Sequence, residues 1–199
     1  MESPQSICEF WFGTSADDAE VGEQHASLWW SKKPEVDAQI KARFGSYLPK
    51  VLGGELAAWQ QSALGHLALI LLVDQFPRNI FRGTAQSFAF DPVALSLCKQ
   101  GIAAGVAQQL RPIQQVFFYM PLEHSEDFAD QDFSVQLFEQ LSQTKEPRLA
   151  AQMAFFTDFA HRHHAVIERF GRFPHRNEIL GRPSTAEELA FLQTPGSAF

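Results

Sequence analysis

The densest run of reactive side chains is "PLEHSED" at residues 121–127. Glu123, His124, Glu126 and Asp127 follow a proline there. Histidine exchanges protons near neutral pH, and a neighbouring carboxylate sets its tautomer and raises its basicity. Ser125 suits a helix N-cap, with Glu126 and Asp127 in a first turn where the dipole favours carboxylates. Glu123 and His124 precede that cap and remain as candidate acid–base groups. His163 is a third. It shares a helical stripe with Leu149, Met153, Phe156, Ala160, Ile167 and Phe170, whereas His161 and His164 fall off the stripe. A histidine on an apolar stripe either satisfies its hydrogen bond inside the core or meets a partner across it. Facing Glu123 or His124 would give it chemistry.

Two further stretches read like one another: "FPRNIFRG" at 76–83 and "FPHRNEILGR" at 173–182. This is a weak internal duplication that matches the period of no common short repeat. Asn79 and Asn177 suit turns through side-chain bonds to backbone. Arg78, Arg82, Arg172, Arg176 and Arg182 are a large share of the 16 basic residues. One reading makes them caps for carbonyls at helix ends. The other makes them a clamp, because guanidinium groups bind carboxylate and phosphate in forked pairs. Asp74 stands where an apolar helix is expected to end, a place that disfavours negative charge, so Arg78 or Arg82 should pair with it. The clamp reading names Arg78, Asn79, Arg82, Arg172, His175, Arg176 and Asn177 as ligand-binding residues. His124, Glu123, His163 and Asp74 are its catalytic candidates.

Other chemistries lack their signatures. There is no H-E-x-x-H pair for a metal, no glycine-rich phosphate loop and no nucleophile elbow. Neither a metal nor a cofactor is expected.

The elements that must position these groups read as helices throughout. Ser3-Pro4 opens the first, and residues 13–33 read as irregular, anchored by Trp29 and Trp30. Pro34 and Gly53-Gly54 bound the next helix. Residues 62–75 form a helix that is apolar all round, and Pro77 is expected to end it. Asp91-Pro92 and Pro112 open two more, and Pro121 should interrupt the second. A helix then runs from Ser125 to about Ser142. Glu146-Pro147 opens the longest, which Gly171 ends, and Ser184-Thr185 with Glu187 and Glu188 reads as a capping box for a last short helix. The expectation is an all-α single domain over 1–199, with about eight or nine helices.

Composition sets outer limits. A chain of 199 residues with 45% hydrophobic content can bury a sizeable core, and 19 Phe make that core aromatic. A net charge of −7 argues against binding nucleic acid through phosphates. The longest apolar run, "LALILLV" at 67–73, is too short to span a membrane. The two cysteines imply no disulfide framework, and the first residues lack a signal-peptide pattern, so a cytoplasmic location is expected. Oligomeric state is left open.

Taken together, "LLVDQFPRNIFRG", "FYMPLEHSEDFADQ" and "IERFGRFPHRNEILGRPSTAEELAFL" resemble the bacterial family catalogued as domain of unknown function 924. The likeness runs nearly the whole chain from "FWFG" at 10–13. It implies an all-helical fold related to the tetratricopeptide-like superhelices and brings no reaction, substrate or cofactor. Val73 and Met120 stand where the family often shows leucine. His163 matches the family's motif histidine, while His161 and His164 are particular to this chain. The reading that follows is a polar cleft for a small anionic ligand, with hydrolytic or proton-transfer chemistry. The alternative is a module that holds a peptide or partner protein in the concave face of stacked helices, the Arg-Asn turns then being structural.

Overall fold

Proline at the first helical position, with a polar residue just before it, opens four of the helices among the described residues. The computed structural model describes residues 1–197. Ser3 caps α1 (Pro4–Phe12) in a reciprocal box with Ser6. Then come α2 (Asp18–Trp30), α3 (Pro34–Phe44), α4 (Leu48–Leu52), α5 (Ala63–Ile70), α6 (Phe76–Ile80) and α7 (Asp91–Ala103). They are followed by α8 (Pro112–Glu123), α9 (Phe128–Leu141), α10 (Pro147–Phe170) and α11 (Ala186–Leu192). A short 3₁₀ turn joins α3 to α4, and a π-turn joins α5 to α6. The described residues therefore form nine continuous helical runs and no strand.

Four local expectations are corrected. Residues 13–33 are not irregular: Asp17 accepts from the N–H groups of Ala19 and Glu20 and starts α2. Pro77 does not end its helix. Residues 71–75 widen into the π-turn, and the Phe76 N–H reaches back to the Leu71 carbonyl. That widening takes up the missing N–H and the ring that a proline brings, so the chain stays helical to Ile80. Pro121 likewise sits inside α8, close to its end. Ser125 is not the cap of α9; Asp127 is, accepting from Ala129 and Asp130, which frees Glu126 for another partner. The two Phe-Pro stretches thus fold differently. The first lies inside a helical run. The second follows the left-handed Gly171 (φ 66°) that closes α10, and Pro174–Arg176 forms a 3₁₀ turn.

The run Leu67–Val73 is fully buried, as its all-round apolarity requires. α5 lies against α1, α7 and α8, and α6 lies against α3. α8, α9 and α10 pack in succession, and α10 also touches α2. Aromatic rings interlock at the centre: Trp11 meets Phe117 edge-on at 5.6 Å and Phe76 at 5.5 Å, and Trp29 meets Phe117 at 4.7 Å. This main core runs from Ile7 to Ala160. Val166, Ile167 and Phe173 form a separate small cluster under the C-terminal segment. That division matters, because the polar site lies along the seam.

Candidate functional site

The π-turn is what delivers Asp74 to the site. Asp74 is fully buried, and its Oδ1 lies 2.8 Å from Nδ1 of His124, the residue that closes α8. Its Oδ2 accepts from the Gln75 amide at 2.6 Å, and Arg78 approaches Oδ1 at 3.5 Å. Burial alone would raise the Asp74 pKa. The charges of His124 and Arg78, with hydrogen bonds from His124 and Gln75, outweigh it and bring the carboxyl down to about 2. His124 is pushed the other way, first by burial and then by the Arg78 charge, so its imidazole is neutral at pH 7. With His124 uncharged, Arg78 and the hydrogen bonds keep Asp74 ionised. An ionised carboxylate only accepts, so His124 carries its proton on Nδ1 and donates it to Asp74. The lone pair then sits on Nε2, which has no protein partner among the described residues.

From Asp74 the contacts close into a ring. Arg78 donates a forked pair to Asp91 at 3.0 and 3.2 Å and a further bond to the Asp74 carbonyl at 2.6 Å. Asp91 meets Arg176 at 3.5 Å. The Arg176 guanidinium packs on two rings, 4.7 Å from the centroid of Phe88 and 4.5 Å from that of Phe173. Phe173 packs on His163 at 5.5 Å, and His163 lies 6.4 Å from His124. His163 donates from Nδ1 to the Phe159 carbonyl at 2.8 Å, and the same nitrogen lies 2.9 Å from a carboxylate oxygen of buried Glu123. His175 also packs on Phe173, at 5.7 Å. Burial, then the charge of Arg176, then that of His163 lower His175 to about 3, so it stays neutral.

Arg176 is the anomaly. It is only 7% exposed, yet among the described residues its one ion pair is the long contact to Asp91, and its Nε is buried without a hydrogen-bond partner. Burial and the nearby Arg78 charge lower its pKa to about 10. An orphaned donor on a buried cation is costly, since charged groups are normally paired when desolvated. Two phenyl rings, Phe88 and Phe173, pack against the guanidinium. Nε is the donor left without an acceptor among the described residues, and the edge it forms with Nη2 matches two oxygens of a carboxylate or phosphate.

The structure sorts the sequence candidates into two groups. Asp74, Arg78, Glu123, His124, His163, His175 and Arg176 come together. Asn79 and Arg82 turn instead to Asp37 of α3, at 2.8 Å and at 2.7 and 2.8 Å. Arg172 forks onto Glu188 of α11, and Asn177 accepts from Arg182 and donates to Ser184. Glu126, freed from capping, accepts two bonds from Arg182 and one from the Phe173 N–H, tying the C-terminal segment to the body. Sequence reasoning missed Asp91 and Phe88. Asp91 was read only as a helix opener, and nothing local marks it as the carboxylate shared by both proline corners.

Other chemistry finds little support. Burial pushes Cys8 up to about 12 and Cys98 higher still, so neither is a thiolate. Among the described residues no group of three or more His, Cys, Asp or Glu side chains is placed to hold a metal ion. None of their helices is long and apolar enough to cross a membrane.

Comparison with known proteins adds kinship. Residues 7–196 match the family described as bacterial protein of unknown function (DUF924). A solved structure of a protein of unknown function from Agrobacterium tumefaciens superposes with a TM-score of 0.81 at 35% identity, covering 96% of each chain. No curated protein matches.

Proposed function

The chain belongs to the DUF924 family of bacterial proteins, and we propose that its polar ring binds a small oxyanion and moves a proton at His124. The observation that carries this reading is the unpaired Nε donor of buried Arg176. An oxyanion there would satisfy Nε and Nη2 together. His124 would act through Nε2 as the proton acceptor. Asp74 would hold the ring in place and stabilise the imidazolium that forms, its carboxylate staying ionised throughout. Glu123 would fix His163 beside it in the same way.

Thermal unfolding in the presence of acetate, sulfate and inorganic phosphate tests the reading. A ligand that binds only the folded state at ten times its Kd should raise Tm by about 3–6 °C. That rise should vanish in Arg176→Met while the circular dichroism stays helical. An unchanged rise in the folded variant would remove Arg176 from the site.

A second reading, a tetratricopeptide-like module that binds a peptide, is favoured by Trp30. It is 46% exposed on α2 and lies 6.0 Å from Phe156 of α10, whose neighbour Phe155 is also exposed. Exposed aromatics of this kind anchor protein contacts. On this view the arginine network serves the fold alone.

A further inference from the structure

A second cleft shares no residue with the polar ring. It opens where α1 ends and the chain turns through residues 13–17 into α2, and it holds about 440 Å³. Sites for small ligands run from roughly 300 to 1,000 Å³. Cys8, Phe12 and Leu64 supply the apolar part of its lining, and Glu9 and Arg111 supply one charge of each sign. Arg111 comes from the start of α8 and is tied down from across the chain. Its Nη1 donates to the Ser15 carbonyl at 3.0 Å and lies 3.2 Å from Oδ1 of buried Asp18. Asp18 is anchored in turn by the Ile113 N–H, at 3.3 Å. The Nη2 and Nε of Arg111 make no hydrogen bond among the described residues. Glu9 accepts from the Gln5 amide at 2.7 Å through Oε1, and it makes no ion pair among the described residues. Glu9 and Arg111 line one cleft, yet they do not pair with each other.

Asp18 already offsets part of the Arg111 charge, so an anion alone gains little there. A molecule that brings a carboxylate to Arg111 and an ammonium to Glu9 satisfies both at once. From this cleft we infer a second binding site, independent of the oxyanion at Arg176, for a small apolar zwitterion with both ends free: an amino acid or a dipeptide. Its carboxylate takes Nη2 and Nε of Arg111, a fork that suits two oxygens. Its ammonium reaches the second carboxylate oxygen of Glu9, and its side chain lies on Cys8, Phe12 and Leu64. The clamp on Nη1 fixes the guanidinium before the ligand arrives, which lowers the ordering cost of binding. The two sources share this chemistry and differ in the reach between their ends, about 2.5 Å in an amino acid and roughly 6 Å in an extended dipeptide.

Isothermal titration of the full chain near neutral pH tests this with leucine and with alanyl-leucine, each also in N-acetylated and in C-amidated form. At least one free zwitterion should bind saturably, at one site per chain. Either block should weaken that ligand about tenfold, the worth of one charge-assisted hydrogen bond. In Glu9→Gln, which keeps an acceptor for Gln5, the cost of acetylation should disappear while the cost of amidation stays. In Arg111→Gln the reverse should hold. If that variant does not fold, Arg111→Lys, which keeps a charge beside Asp18 but lacks the fork, should shrink the cost of amidation. The tighter of the two free ligands identifies the source. No saturable binding of either one, blocked forms that bind as well as the free ones, or blocking costs unchanged in the folded variants would overturn the site.

Discussion

At the scale of single residues, the site is a set of groups whose protonation states are fixed by their neighbours. His175 and Asp74 make this measurable. The folded chain holds His175 near 3 against an ordinary 6.5, so below pH 6.5 the unfolded chain takes up a proton that the native state refuses. Stability present above pH 6.5 is therefore lost as pH falls, by about 2 kcal/mol at pH 5. Urea unfolding should show His175→Gln flattening that slope; an identical slope in the variant would contradict the assignment. Asp74 acts in a lower window. Its folded pKa is depressed to about 2 from 3.8, so its contribution, on the order of 2 kcal/mol, is present above pH 4 and lost as pH falls toward 2. Asp74→Asn should remove that lower step. The pairing of Asp74 with Arg78 was legible in sequence, because they stand four residues apart. Its bond to His124 was not, because nothing local points across fifty positions.

At the scale of elements, what mattered was where the helices bend rather than where they lie. Caps and proline starts were readable because they depend on a few adjacent residues: Glu146 on α10 and Thr185 with Glu188 on α11 form as their types require. The π-turn was not readable. A proline inside an apolar run looks like a stop, and only the burial of both flanks makes it cheaper to widen the helix than to end it. Ser125 was misread for a similar reason: two capping residues compete two positions apart, and Asp127 takes the cap while Ser125 bonds Asp130 and receives the Asp127 N–H. Glu126 then becomes the tie between the C-terminal segment and the body. Because that segment has its own small apolar cluster, Glu126→Gln should loosen it without unfolding the main core. Hydrogen exchange at the Phe173 amide should quicken by about 2 kcal/mol of lost protection, with α5 and α8 unchanged. Equal quickening in all three places would show one cooperative unit instead.

At the scale of the whole molecule, an aromatic core holds α1, α2, α3, α6 and α8 in register, and the polar ring depends on that register. Phe117 meets Trp11, Phe12 and Trp29 at once. Phe117→Ala should cost about 3–5 kcal/mol, read by chemical unfolding, and a cost under about 1 kcal/mol would mean the core is not built around it. The all-helical class was readable from periodicity and composition. The convergence of two corners nearly a hundred positions apart on Asp91 was not, since it follows from how the helices stack.

The central claim is that the Nε–Nη2 edge of Arg176 waits for an oxygen ligand. The most direct measurement is the Nε–H resonance of Arg176 in a ¹H–¹⁵N spectrum, followed while acetate is added. The claim requires that proton to move downfield and saturate as it gains an acceptor, with the Arg82 resonance, already bonded to Asp37, left in place. A resonance that stays where it is while acetate is raised to molar concentration would contradict it.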